Sequence, residues 1–265
     1  MTKKNPLPKT VPSRSAALSD LHWKEVRGSV YDVVILPWGA TEAHNYHLPY
    51  GTDNIESDVI AARSAAYALG QRARVVVLPT VPYGVNTGQL DIRLTISINP
   101  STQLSLVHDI VDSLYRQGFR KLVILNSHGG NDFRPIIREI TGQFAGMFIG
   151  LINWYQLLDQ RKYFDEPDDH AGEMETSILL HIAPERVLPL TDAGNGAERR
   201  FRLKSLRERW LWTPRAWTKA TRDTGVGNPK KATAEKGERF LCDLVSMIGE
   251  ALVELAAADP RNLYE

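Results

Sequence analysis

Carboxylate and imidazole side chains gather in three short segments of this 265-residue sequence. Residues 37–53 contain two carboxylates and two histidines, residues 126–131 read Asn-Ser-His-Gly-Gly-Asn, and residues 168–175 place a histidine among acidic residues. Imidazole and carboxylate ligands without a thiolate suit divalent ions such as zinc, manganese and iron. The sequence therefore predicts a metal site that draws a further carboxylate and a histidine from residues 170–173 and is built on Glu42, His44, Asp53 and His128.

The elements between these segments predict where the segments meet. Short apolar, β-branched runs at 30–36, 74–81, 121–125 and 147–152 predict buried strands. Helical spacing follows at 53–69, 101–117 and 133–144, and again at 233–258. This alternation predicts an α/β fold with a mostly parallel sheet. Loops at the carboxyl ends of parallel strands converge, so we expect the three polar segments to share one edge of the sheet.

The segment around residue 170 offers two carboxylates that could complete the site. If residues 170–181 are helical, His170 and Glu173 lie on one face at spacing i and i+3, whereas Glu175 is turned away. This spacing favours Glu173 as the ligand and gives Glu175 a supporting role beside His170. The choice between Glu173 and Glu175 stays open at this point. Asp53 also suits the N-cap of the helix that follows it, and one carboxylate could serve as both cap and ligand.

The turn at residues 128–131 has competing interpretations. Gly129 and Gly130 could form a plain tight turn, or a glycine-rich cradle whose N–H groups face an anion. The spacing is not that of a P-loop or a dinucleotide fingerprint, so we expect the glycines to bring backbone close to a metal-bound substrate. A serine hydrolase is a further alternative because Ser127 precedes His128. The Gly-x-Ser-x-Gly elbow of such enzymes does not surround it.

Composition limits the classes of function. Thirty-two basic and 31 acidic residues give a net charge of +1, which provides no electrostatic case for binding nucleic acid or a membrane. We expect residues 1–15 to form a flexible N-terminal arm and 16–265 a single domain. One cysteine, Cys242, and the absence of an apolar run near the roughly 20 residues of a membrane span favour the cytoplasm. The basic, tryptophan-rich stretch 199–222 has no clear periodicity.

Three motifs together resemble the creatininase, or creatinine amidohydrolase, family. They are the Gly-x-x-Glu-x-His loop with its later aspartate, the Asn-x-His-Gly-Gly-Asn turn and the His-Ala-Gly-Glu-x-Glu-Thr-Ser segment. The resemblance runs from about Val33 to residues 232–237. It implies a three-layer α/β/α sandwich, a homo-oligomer that is often a hexamer, and two divalent metal ions (zinc, manganese or iron) bridged by an aspartate.

The resemblance also implies roles for individual residues. Glu42 and His128 match ligands of one metal, His44 matches a ligand of the other, and Asp53 matches the bridge. His170 matches the histidine that handles protons near the substrate. Creatininase carries an aromatic residue and a metal-binding glutamate after the turn histidine, where this sequence has Gly129 and Gly130. Glu173 is the natural replacement for that missing ligand. The expected substrate contacts are Trp154, Tyr46, Arg93, Gly129 and Gly130.

The chemistry implied is hydrolysis of a carbonyl compound. A metal can lower the pKa of its bound water from 15.7 to about 7. We expect a metal-bridging hydroxide to attack the C–N carbonyl of a small amide, cyclic amides included, while His170 passes a proton to the leaving group with Glu175 or Asp169 orienting it. The alternatives are hydrolytic opening of a cyclic ketone or lactone-like ring, and a metal-binding protein without catalysis.

Overall fold

Four parallel strands form the centre of the fold. The computed structural model describes residues 16–166 and 168–264, so the expected arm at 1–15 lies outside the described residues. The strand order is β2-β1-β3-β4, and the strands are β1 Val33–Trp38, β2 Val75–Val77, β3 Lys121–Asn126 and β4 Phe148–Asn153. All four predicted strands are confirmed, and β2 is shorter than the predicted run.

The apolar strand residues alternate between two cores, one on each face of the sheet. Val33 and Ile35 pack on one face, and Val34 and Leu36 on the other. Parallel strands that are buried on both faces need apolar side chains at every position, which explains the continuous hydrophobic run in β1. The register pairs Trp38 with Asn126, so β1 and β3 end side by side.

Helices cover both faces of the sheet and confirm the three-layer α/β/α sandwich. The longer helices are α2 Thr52–Gly70, α3 Pro100–Arg116, α4 Phe133–Thr141, α5 Glu173–Ile182 and α8 Ala234–Ala257. Helices α2, α5 and α8 supply the apolar residues of one core, and α3 and α4 supply those of the other. Among the described residues, no helix is long and apolar enough to cross a membrane.

Short elements complete the chain and alter one prediction. The short helices are α1 Trp23–Val26, α6 Lys204–Arg207 and α7 Trp217–Ala220, and single 3-10 turns occur at Leu18–Asp20, Thr87–Gln89, Trp154–Gln156, Gln160–Lys162, Pro184–Arg186 and Pro229–Lys231. A second sheet pairs β5 Asp168–His170 antiparallel with β6 Val226–Gly227. The helix predicted from residue 170 therefore begins only at Glu173, because His170 belongs to β5.

Candidate metal centre

The candidate ligands come from three loops at one edge of the central sheet. The loops after β1 and β3 start side by side because these strands end in register. The turn from β5 into α5 brings the third group of side chains to the same place. The exposed fraction of every residue in the resulting cluster lies between 0 and 8%, and its members are Glu42, His44, Asp53, His128, His170 and Glu175.

Asp53 lies at the centre of this cluster. Helix α2 begins at Thr52 with Gly51 as its N-cap, so Asp53 is the second residue of the helix and not its cap. The positive end of the helix dipole stabilises a carboxylate in this first turn. Its Oδ1 lies 2.8 Å from Nε2 of His44, and its Oδ2 lies 3.3 Å from Nδ1 of His128. The two oxygens of one carboxylate therefore face two different histidines.

Two sets of three potential ligands share Asp53. Glu42, Asp53 and His128 form one set, and Nδ1 of His128 lies 2.8 Å from Oε1 of Glu42. Asp53, His44 and Glu175 form the other set. In each set, one ligand atom per residue lies within 4.8 Å of the others. This arrangement has the donor types and the shared carboxylate of a two-metal site.

Backbone carbonyls orient the three imidazoles. Nδ1 of His44 lies 3.1 Å from the carbonyl oxygen of Glu42, and Nε2 of His128 lies 3.1 Å from that of Val85. Nε2 of His170 lies 2.9 Å from the carbonyl oxygen of Ala43. A carbonyl can only accept, so each of these nitrogens donates its N–H. The opposite nitrogen of each ring then faces the cluster, and once it has lost its proton it offers a lone pair, as in metal-binding histidines.

The residues present fit a divalent cation. Among the described residues, neither Nε2 of His44 nor Oδ2 of Asp53 has a hydrogen-bond partner, although both atoms are buried. Nε2 of His44 and Oδ1 of Asp53 are close but are not aligned as a hydrogen bond. Buried polar atoms without partners are costly. A bound metal ion would satisfy each of these atoms.

The electrostatics of the cluster favour positive charge. Burial lowers the pKa of His44, but the carboxylate of Asp53 outweighs this effect and raises the pKa to about 10. Burial likewise opposes the rise in the pKa of His128, which Glu42 and Asp53 hold well above its usual value. Burial raises the pKa of Glu42 and of Asp53, yet the neighbouring histidines outweigh it and hold both pKa values low. A metal ion competes with protons for these same atoms.

Glu175, and not Glu173, faces the cluster, which corrects the spacing argument. Glu173 is fully buried, pairs with the ammonium of Lys236, and accepts N–H groups of Asp165 and Glu166 at 2.9 and 2.7 Å. The i and i+3 relation fails because His170 lies on β5, outside the helix. Since α5 starts at Glu173, its carboxylate turns toward α8 while that of Glu175 turns toward His44.

A strained turn separates His170 from helix α5. Ala171 has φ of +52°, in the left-handed region that is unfavourable for alanine. Its N–H donates to Oε2 of Glu175 at 2.5 Å. The turn thus directs both His170 and Glu175 into the same cluster, although they belong to different elements.

Three of the predicted substrate contacts have hydrogen-bond partners outside the cluster. Trp154 is fully buried in the core and reaches the site only through its Nε1, which donates to Ser127 at 2.7 Å. Tyr46 is 58% exposed, and its hydroxyl donates to the carbonyl of Arg222 at 3.1 Å. Arg93 is exposed, and its carbonyl accepts from the hydroxyl of Tyr50 at 2.6 Å. Trp154 therefore forms part of the core and not a wall of an open cleft.

The two glycines of the turn differ in what surrounds them. A Cβ at Gly130 would lie 2.3 Å from the carbonyl oxygen of Val85 and 2.4 Å from Nε2 of His128, so only glycine fits there. A Cβ at Gly129 would meet nothing within 4 Å. Gly130 thus allows the turn to pack against the ring of His128, a contact with the candidate ligand that the sequence did not suggest.

Ser127 belongs to a packing network. Its hydroxyl accepts from Nε1 of Trp154 and lies 2.6 Å from the hydroxyl of Ser57. This arrangement connects the end of β3 to α2 and to the core. A general base, which a serine nucleophile needs, is not among these partners.

Two neighbours of the cluster have no signal in the sequence. The side-chain amide of Gln89 donates to Oε2 of Glu42, opposite the oxygen that faces His128. The indole of Trp217 packs edge-on against the ring of His170, with centroids 4.8 Å apart. Both residues reach the site through long-range packing, from a 3-10 turn and from the tryptophan-rich stretch.

Similarities to known proteins extend over most of the chain. Residues 19–252 match the profile of the family described as Creatininase: creatinine amidohydrolase. The mycofactocin precursor peptide peptidase of Mycobacterium ulcerans (strain Agy99) is 32% identical over 229 residues, which cover 82% of this chain and 83% of that protein. The crystal structure of a candidate creatinine amidohydrolase from Bacteroides fragilis NCTC 9343 is 45% identical, with a TM-score of 0.88 and coverage of 94% of this chain and 98% of that one. A mutant creatininase of the Zn-Zn type has a similar fold at 24% identity, with a TM-score of 0.77 over 93% of this chain and 100% of that one.

Proposed function

Because this chain belongs to the creatininase family, we propose that the two sets of ligands sharing Asp53 hold a pair of divalent metal ions. The chain is a metal-dependent hydrolase of the amidohydrolase type. The observation that supports two ions is the position of Asp53, whose oxygens face His44 on one side and His128 on the other. Zinc and manganese suit this nitrogen and oxygen donor set.

We assign Glu42, Asp53 and His128 to one ion and Asp53, His44 and Glu175 to the other. Glu175 takes the ligand role that helical spacing predicted for Glu173. When bound, two such ions supply a water of lowered pKa and polarise the scissile carbonyl. Gln89 donates to Glu42 and holds that carboxylate against His128.

His170 is the group that we assign to proton transfer. Its Nε2–H donates to the carbonyl of Ala43, which leaves Nδ1 to accept and deliver the proton. Nδ1 lies 3.9 Å from Oε1 of Glu42, farther than the 2.8 Å that separates Glu42 from His128. Glu42, His44 and His170 also form a third set of potential ligands, so the assignment of His170 to proton transfer follows the family resemblance and not this distance. A metal-binding protein without catalysis would need no such group, so His170 favours an enzyme.

The substrate class that we propose is a small amide or short peptide with a neutral C–N carbonyl. A relative that shares 32% identity cleaves a precursor peptide, and the family profile is described by an amidohydrolase. The alternative is hydrolytic ring opening of a cyclic ketone or lactone-like compound, and the substrate screen below distinguishes it from amide hydrolysis.

The first test is metal analysis of the purified chain and of Asp53→Ala. We expect two ions per wild-type chain and a loss of both in Asp53→Ala, because each set loses its shared ligand. Asp58→Ala is the matched control, since Asp58 lies on the same helix but is exposed. Two ions retained in Asp53→Ala would refute the shared-ligand assignment.

The second test is a screen for turnover with added manganese or zinc. The substrates are cyclic amides, formamides, short peptides, cyclic ketones and lactones. Turnover of amides or peptides that His170→Asn abolishes supports the proposal. Turnover of cyclic ketones or lactones alone would instead support ring opening, and full metal loading without any turnover would support a non-catalytic protein.

We also propose that the enzyme is a cytoplasmic homo-oligomer. Trp210 and Trp212 are 74% and 80% exposed, and exposed aromatic side chains of this size are typical of protein interfaces. The single cysteine suits a reducing compartment. Light scattering of wild type and of Trp212→Glu tests the oligomer, and a monomeric wild type would exclude it.

A further inference from the structure

We propose that Trp217 is a positioning residue that holds the imidazole of His170 in the orientation needed for proton transfer. This inference rests on the function proposed above for His170. Trp217 comes from the tryptophan-rich stretch, where the sequence offers no periodic pattern. Its place at the site depends on the packing of α7 against residues 87–91.

The ring of His170 contacts two other rings. The imidazole of His44 has its centroid 4.2 Å away, with the planes tilted by 39°. The indole of Trp217 has its centroid 4.8 Å away, with the planes at 64°. The hydrogen bond to Ala43 holds Nε2 but does not by itself set the tilt of the ring plane. The two ring contacts restrict this tilt and keep Nδ1 directed toward Glu42.

Trp217 is itself held by a charged clamp. The guanidinium of Arg215 lies 4.8 Å from the centre of the indole ring. The same guanidinium pairs with Asp169 at 2.8 Å and with Glu198 at 3.0 Å. Because Asp169 immediately precedes His170, the clamp connects the indole to the strand that carries the imidazole.

A glycine allows this clamp to sit close to the site. A Cβ at Gly88 would lie 2.0 Å from the carbonyl oxygen of Arg215 and 3.1 Å from the indole of Trp217. Gly88 belongs to the 3-10 turn whose next residue, Gln89, donates to Glu42. The hydroxyl of Thr218 also donates to Asp91 just after this turn. Trp217 is therefore fixed relative to both Glu42 and His170.

The expected consequence is an effect on turnover. A misplacement of about 1 Å at a catalytic group can cost roughly 100-fold in rate. For Trp217→Ala we expect kcat to fall by about 10–100-fold with KM little changed, because the residue orients His170 and does not bind the substrate. Trp217→Phe keeps an aromatic edge against His170 and should recover most of the lost kcat. Trp23→Ala is the matched control, since Trp23 is 74% exposed on α1.

A second measurement needs no substrate. Diethyl pyrocarbonate modifies unprotonated imidazole nitrogens, and peptide mass spectrometry gives the rate at His170. In Trp217→Ala we expect this rate to rise about tenfold or more. The imidazole would then react without local opening of the segment that carries Trp217. Trp217→Phe should restore protection, and Trp23→Ala should match wild type. If Trp217→Ala fails to fold, Arg215→Met tests the clamp with the indole still present and should raise the rate as well.

The outcomes separate this inference from the proposed function. A raised modification rate together with a fall in kcat at constant KM supports positioning. A rise in KM at constant kcat would overturn it and make Trp217 a binding surface, and an unchanged rate at His170 would overturn it even without a known substrate. Failure of the wild type to bind metal would refute the proposed function, whereas the modification rates would still decide whether Trp217 holds His170.

Discussion

The buried glutamates of helix α5 provide a matched pair of substitutions. Glu173→Gln and Glu175→Gln remove the same charge from positions two residues apart. Glu173 pairs with Lys236 on α8, whereas Glu175 joins His44 and Asp53. We therefore expect the first substitution to reduce stability and the second to reduce metal content.

The magnitude for Glu173→Gln follows from its partners. Removing one member of a buried ion pair costs about 3–5 kcal/mol, and a hydrogen bond to a charged group contributes about 1.5–3 kcal/mol. Lys236 keeps two partners, Asp165 at 2.7 Å and the carbonyl of Lys231 at 2.9 Å. The loss of stability should therefore lie near the lower end of these ranges. We expect a loss of about 2–4 kcal/mol, which corresponds to roughly 4–16 °C in Tm for a chain of this size.

The assays are urea denaturation of the metal-free proteins and metal analysis after chelator competition. Glu175→Gln should lose one of two ions at a chelator concentration that leaves wild type loaded, with a fall in affinity of at least roughly 10–100-fold. Its metal-free stability should fall less than that of Glu173→Gln, because the glutamine carbonyl can still accept the N–H of Ala171 and the substitution also relieves repulsion from Glu42 and Asp53. Loss of metal from Glu173→Gln, with both ions retained in Glu175→Gln, would refute this reading of the helix.

Three further results are expected. Ser127→Ala should retain turnover, but its free energy of unfolding in urea should fall by about 1–3 kcal/mol, because the buried Nε1 of Trp154 loses its acceptor. Complete loss of turnover would instead support Ser127 as a nucleophile. Gly130→Ala should weaken metal binding in chelator competition because its Cβ would collide with His128, whereas Gly129→Ala should bind metal as wild type does. Adding zinc or manganese at about 100 times Kd should stabilise the metal-free protein by about 2.7 kcal/mol per ion, or roughly 5–11 °C in differential scanning fluorimetry, and an unchanged Tm would contradict binding to the folded state.

The central sheet and four of the candidate ligands could be predicted from the sequence because both depend on local patterns. Continuous apolar runs indicate strands that are buried on both faces, and loops at their carboxyl ends must converge. Glu42, His44, Asp53 and His128 all follow β1 or β3 closely. Their positions therefore needed no knowledge of distant contacts.

The completion of the site could not be predicted in this way. Whether Glu173 or Glu175 faces the cluster depends on where α5 begins, and pairing of β5 with residues 226–227 moves that start to Glu173. Trp217 and Gln89 reach the site by packing between segments far apart in sequence. Helical spacing around His170 carried no information about any of these contacts.

The three backbone carbonyls that orient the imidazoles have a consequence for the rate at which metal enters and leaves. Ligands that are already oriented need little rearrangement on binding, so little binding free energy is lost in ordering them. Because these ligands are almost completely buried, entry and exit require the covering loops to open. Such a centre would exchange ions slowly and retain the one it acquired as the chain folded. The metal found in the purified enzyme would then report the supply available to the cell during synthesis, and not the order of equilibrium affinities.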